Sequence, residues 1–300
     1  MNVTEYTLKG CEFIRSDLLK SSEESEEESE EESEEESSDE ESSEESSSQK
    51  NKYTIKKPRN QHYFSVLKNE RLFYLVLNKP IIFELEKDDV IVDPAGLDYI
   101  LSNSMNGAGG GSEVIYDLLK KNTFDKNVVN FFKLKGLKYF DEPIRDKKEN
   151  EKLYLSGNKI NTDITPSKVG LYRLKDKDDK INIIHTVGPK FSGNIALINI
   201  LENDDESKLN QIYYKIYESI FKEFVSIENH KKLYLRLLPV SIGIYLPSKN
   251  KINNQKKILN AINIALFKLL NQPEYQHLIE KISLYLYEKS EYDIYESLYI

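Results

Sequence analysis

Four glycines crowd into five positions at Gly107, Gly109, Gly110 and Gly111, and Val114, Ile115, Leu118 and Leu119 follow at helical spacing. Consecutive glycines expose backbone N–H groups with no Cβ in the way, and a helix starting beside them adds the positive end of its dipole. That chemistry suits a phosphate, although the same glycines would also let a plain surface loop turn. Two residues on, Glu113 is an acid in a first helical turn and reads as a cap. His185, inside the apolar run KINIIHT, reads as a packed strand histidine rather than a base. His62, His230 and His277 show no ligand spacing and Cys11 is the lone cysteine, so no metal site, intrachain disulfide or cofactor is expected.

These residues need elements to hold them. Val90, Ile91 and Val92 predict a buried strand that stops at Asp93-Pro94, ahead of the glycines. YFSVL, RLFYLVL and PIIFELE predict three earlier strands separated by turn residues, and KINIIHT and LYLRLLPV predict two more buried ones. The stretch from 123 to 180 reads least clearly, with a helix over Val128 to Leu137 and a charged loop from Pro143 to Lys152. A helix from about Leu209, a long one around Ile258 to Leu269, a strand at Ile282 to Leu286 and a final helix at Tyr292 to Leu298 complete the pattern. Strands alternating with helices through the second half imply an α/β sheet covered on its faces.

The overall charge of −9 hides a division. Ser21 to Ser48 holds sixteen acids and no base and residues 1–20 balance, which leaves +7 on residues 49–300. The expected organisation is a short segment over 1–20, a disordered Ser/Glu-rich acidic tract over 21–49, a basic linker over 50–61 and a folded unit over 62–300. Serines followed by acids in the tract would suit an acid-directed kinase, though a solvating spacer is the stronger reading. No apolar run approaches the roughly 20 residues that span a bilayer and the first residues lack a signal-peptide core, so a soluble cytosolic or nuclear protein without a membrane partner is expected.

Three motifs then fall in one order: the strand leading to the glycine loop, Ile184 to Pro189 reading IHTVGP, and Ser241-Ile242-Gly243-Ile244-Tyr245 after LYLRLLPV. Together they resemble the macro domain (Appr-1-p processing-like) family, the ADP-ribose-binding α/β module, over about residues 62 to 300. The resemblance implies a three-layer α/β/α fold with a mixed central sheet. It also implies that Gly109, Gly110 and Gly111 form one wall of a diphosphate site and Ser241, Ile242, Gly243, Ile244 and Tyr245 the other. Glu84 in FELE is the match for the acid that accepts from adenine, after a two-residue deletion, and Tyr287 for the aromatic that packs on the base.

The family's Asn-Ala-Ala-Asn turn stands here as Asp93-Pro94-Ala95-Gly96. The last Asn holds the distal ribose in hydrolytic members, and Gly96 offers no side chain for it, so the resemblance favours a module that binds ADP-ribose or ADP-ribosylated proteins. Asp98, Asn103 or Asn106 could fold back to replace the contact. The alternative is an ADP-ribosyl or O-acetyl-ADP-ribose hydrolase using Glu113. A third reading is a degenerate domain serving as a scaffold, whose basic surface engages poly(ADP-ribose) or RNA. Oligomeric state is not legible.

Overall fold

The computed structural model describes residues 53–57, 62–68, 71–135, 155–156, 159–160, 167–177, 179–192, 195–203 and 205–299. The readings of the N-terminal segment, the acidic tract and the 143–152 loop lie outside those residues. Eight strands form one sheet: β1 (Tyr53–Lys56), β2 (Tyr63–Lys68), β3 (Arg71–Leu77), β4 (Asp89–Asp93), β7 (Ser167–Arg173), β8 (Lys180–Thr186), β9 (Tyr234–Leu237) and β10 (Ile282–Tyr285). Their spatial order is β1-β2-β3-β10-β9-β4-β8-β7. The five strands from β3 to β8 run parallel, and β1, β2 and β7 pair antiparallel at the edges. A separate short ribbon joins β5 (Leu155–Ser156) and β6 (Lys159–Ile160).

Alternation along the strands makes the two outer layers. Val90, Val92, Ile184, Leu235, Leu237 and Leu284 point to one face, where α4 (Ile195–Glu202), α5 (Glu206–Val225), α6 (Lys251–Leu270) and α7 (Lys289–Glu296) cover them. Ile91, Ile183 and Tyr285 point to the other, under α1 (Leu97–Ser102), α2 (Gly111–Asp117) and α3 (Lys126–Lys135). Each fully buried Ile or Leu contributes about 1.5–3 kcal/mol. The architecture is the three-layer α/β/α sandwich with a mixed sheet that the sequence predicts. No helix among the described residues is long and apolar enough to cross a membrane.

The structure departs from the sequence reading in several places. PIIFELE is a turn, because Arg236 lies buried on central strand β9 and draws on the carbonyls of that segment. Its guanidinium donates to Ile81 O at 3.1 Å, Phe83 O at 2.5 Å and Glu84 O at 2.5 Å, and it meets Asp89 Oδ2 at 2.5 Å. Carbonyls turned inward to a cation cannot serve a strand ladder. Part of the stretch read as linker, Tyr53–Lys56, is strand β1, with Tyr53 opposite Lys68. Strand β7 and helix α1 went unread.

All five parallel strands end on one edge of the sheet. There β4 delivers Asp93 and the glycine loop, β8 delivers Val187-Gly188-Pro189, β9 delivers Ser241 to Tyr245, and β10 delivers Leu286 and Tyr287. Ligands in open α/β sheets bind outside that edge.

Candidate functional site

The end of β4 is a buried polar node. Asp93 is 0% exposed, and its carboxylate accepts from Ser112 Oγ at 2.6 Å, Tyr116 Oη at 2.5 Å and His185 Nδ1 at 2.7 Å. The other ring nitrogen of His185, also 0% exposed, faces Tyr172 Oη at 2.7 Å, which in turn accepts from Asp125 N at 3.1 Å. In the neutral ring the network fixes the tautomer. The Tyr172 phenol gives its proton to Nε2, so Nδ1–H faces Asp93. Burial, and then the charge of Asp93, holds the Tyr116 phenol well above its usual range, and burial raises Tyr172 too. Both therefore remain donors at any ordinary pH. The node ties the strand end to Ser112, second residue of α2, and so fixes where the glycine loop leaves the sheet.

The loop itself needs its glycines. Gly110 has φ +63° and ψ −135°, a region open to little else, and a Cβ on Gly111 would stand 2.8 Å from Leu238 Cδ1. That contact sets the start of α2 against the end of β9, three residues before Ser241. Gly109 faces open space.

On the second loop the carbonyls turn inward: Leu238 O accepts from Tyr217 Oη at 3.0 Å, Val240 O from Tyr213 Oη at 3.1 Å, and Ile242 O from Gln255 Nε2 at 3.3 Å. Burial alone would already raise the Tyr217 phenol. Ser241 adopts φ +66° and is 6% exposed, and its Oγ has no hydrogen-bond partner. Gly188 makes room for it, since a Cβ there would lie 2.2 Å from Val240 Cγ1 and 2.3 Å from Ser241 Oγ. Among the described residues no acceptor is bonded to the N–H groups of Gly109, Gly110, Ser241, Ile242, Gly243 or Ile244. Ile244 is 81% exposed, and Tyr245 O accepts from Ser192 N at 2.8 Å.

The other expected residues are more dispersed. Tyr287 is 65% exposed at the end of β10, its carbonyl accepting from Asn78 Nδ2 at 3.1 Å. Glu84 is not at a strand end: it sits at φ +48° in the 80–86 turn, anchored to Arg236 through its own carbonyl. Glu113 is exposed in the first turn of α2. Asp98, Asn103 and Asn106 are exposed as well. What stands nearest Gly96 is aromatic: a Cβ there would meet Tyr99 Cδ2 at 2.8 Å and Tyr245 Oη at 3.1 Å. Sequence reasoning missed the Asp93 node, Tyr99 and Arg236. No group of three or more metal-ligating side chains occurs among the described residues.

No family model matches the sequence, and no curated protein does. Solved structures to which the chain is similar include the Oceanobacillus iheyensis macrodomain with MES bound, at 16% identity and TM-score 0.38 over 82% of this chain and 94% of that one. The Trypanosoma brucei macrodomain in complex with ADP matches at 14% identity and TM-score 0.39, over 75% and 68%. Poly(ADP-ribose) glycohydrolase from Deinococcus radiodurans in complex with ADP-ribose matches at 11% identity and TM-score 0.39, over 75% and 82%. Identities and TM-scores this low do not allow a residue's role to be carried across.

Proposed function

We propose that this chain is a macro domain that binds ADP-ribose, free or attached to protein, across the edge where its parallel strands end. The observation that carries the reading is the pair of loops with unpartnered donors, Gly109 and Gly110 on one side and Ser241 to Ile244 on the other, with the buried Ser241 hydroxyl between strand and loop. A buried polar group without a partner in the fold, such as the Ser241 hydroxyl, is one that a ligand can meet, and backbone N–H groups on two loops at one sheet edge suit a diphosphate. The inward carbonyl bonds to Tyr213, Tyr217 and Gln255 hold the second loop so that its N–H side is the one on offer. Tyr287, exposed on the neighbouring strand end, is the stacking surface proposed for the base, and Glu84 the acceptor proposed for its amino group.

Binding without turnover is the function that fits. Gly96 supplies no group to fix the sugar beyond the diphosphate, and hydrolysis requires that orientation. Glu113 serves as a first-turn acid of α2.

Calorimetric titration of the full chain with ADP-ribose, with AMP as control, tests this. A Kd of roughly 1–10 μM is expected, corresponding to about 7–8 kcal/mol. The Gly243→Glu variant is the paired control. Nothing lies within 4 Å of a Cβ at Gly243, so the fold tolerates the change while a carboxylate enters the phosphate loop. Affinity should fall by a factor of about 30 or more from like-charge repulsion and lost access. No heat with ADP-ribose from a folded sample would overturn the reading. Hydrolysis of ADP-ribosyl-protein that Glu113→Ala abolishes would replace binder with hydrolase.

A further inference from the structure

We infer that the cleft accepts a nucleoside diphosphate without selecting for a sugar beyond the second phosphate, because Tyr99 and Tyr245 close that end. The inference rests on the diphosphate reading above. Strand order gives the cleft its direction: β10, carrying Tyr287, neighbours β9, carrying the Ser241 loop, and β9 neighbours β4, carrying Pro94 to Gly96. A base at the β10 end and a diphosphate over β9 leave the next group of the ligand over the end of β4.

What stands at that place is a wall of two phenol side chains. At Gly96 the position of a Cβ is 2.8 Å from Tyr99 Cδ2, 3.3 Å from Tyr99 Cε2 and 3.1 Å from Tyr245 Oη, so any larger residue would have to displace them. Gly96 has φ −76°, so backbone strain does not require its glycine; the rings do. Tyr99 is held in position by its hydroxyl, which donates to Gly107 O at 2.7 Å and thereby ties α1 to the glycine loop. Tyr245 belongs to the second loop and is anchored by Ser192 N–H on its carbonyl. Each ring is therefore fixed to one of the two proposed phosphate loops.

A sugar's vicinal hydroxyls are recognised by carboxylate or carboxamide groups, which accept and donate side by side. The carboxylate at the end of β4 itself is Asp93, three residues before Gly96. It is fully buried, with both oxygens already used by Ser112, Tyr116 and His185. Asp98, Asn103 and Asn106 are turned to solvent. The Tyr99 hydroxyl is committed to Gly107. A ligand that ends at its second phosphate thus loses no carboxylate or carboxamide hydrogen bond relative to one that carries a sugar there.

The experiment is titration of the full chain with ADP and with ADP-ribose side by side, followed by the Gly96→Asn/Tyr99→Ala double variant. The wild type should prefer ADP-ribose by less than about fivefold, since a hydrogen-bonded diol would give far more. The double variant exchanges the ring for a carboxamide. It should prefer ADP-ribose over ADP by about tenfold or more, since any loosening of the glycine loop on loss of Tyr99 weakens both ligands alike and leaves their ratio to report the sugar. A wild-type preference of fivefold or greater overturns the inference and leaves the diphosphate reading standing. A double variant that remains indifferent overturns the assignment to these tyrosines. Absence of binding by either ligand to the wild type overturns both readings together.

Discussion

Asp93 and Ser241 sit at the ends of adjacent strands, β4 and β9, and their surroundings are opposites. Every polar atom around Asp93 has a partner, drawn from α2, β7 and β8. Ser241 is almost as deeply buried, yet its hydroxyl has none and the N–H groups after it are unused. The lesson is one of division of labour along a single sheet edge. A closed network resists movement and so can serve as the frame, whereas an open one has its bonds still to make and so can bind.

The largest effect should come from opening the closed network. Asp93→Ala would strand the His185 ring, the Tyr116 phenol and the Ser112 hydroxyl without their acceptor, costing about 3–5 kcal/mol of stability. Denaturant unfolding reads it as a shift in midpoint at constant slope, and a loss under about 1 kcal/mol would mean the node is not the frame. Gly188→Ala strikes the boundary between the two regions. Its Cβ would fall within 2.3 Å of Val240 and Ser241, and the overpacking should cost about 1–3 kcal/mol. Because the displaced atoms belong to the open loop, ADP-ribose affinity should suffer beside stability. The smallest stability change should come from Ser241→Ala, which deletes a hydroxyl that has nothing to lose, within about 0.5 kcal/mol of wild type. Its affinity for ADP-ribose should nonetheless drop by a factor of about 5–10. If Ser241→Ala destabilised the fold as much as Gly188→Ala, the contrast between the regions would collapse.

The same contrast explains what could be read from the chain alone. Strands β4, β8 and β9 were legible because a strand buried on both faces is dense in apolar residues, broken within β8 by Asn182 and His185 and within β9 by Arg236, and the open loops because glycine and serine mark them. The closed node was not, since the partners of Asp93 lie 19, 23 and 92 residues away and nothing in the spacing of Ser112, Tyr116 and His185 announces a shared acceptor. PIIFELE carries every local mark of a strand and fails as one through a single guanidinium more than 150 residues downstream. Strand β7 escaped notice as an edge strand with Gly170 in its middle and mixed exposure. Helix α1 is six residues long, too short for a periodic signature. The aromatic wall went unseen for a subtler reason: the absence of a side chain at Gly96 was legible, but that Tyr99 fills the space is a fact of packing.

The turn held by Arg236 has one more property. Three of its carbonyls converge on one guanidinium, and its own amides close back within the same segment, Phe83 N on Pro80 O, Glu86 N on Asp89 Oδ2 and Asp89 N on Glu86 O. In hydrogen–deuterium exchange these amides should therefore behave as one opening unit, protected together while Arg236 is in place and released together when it is not.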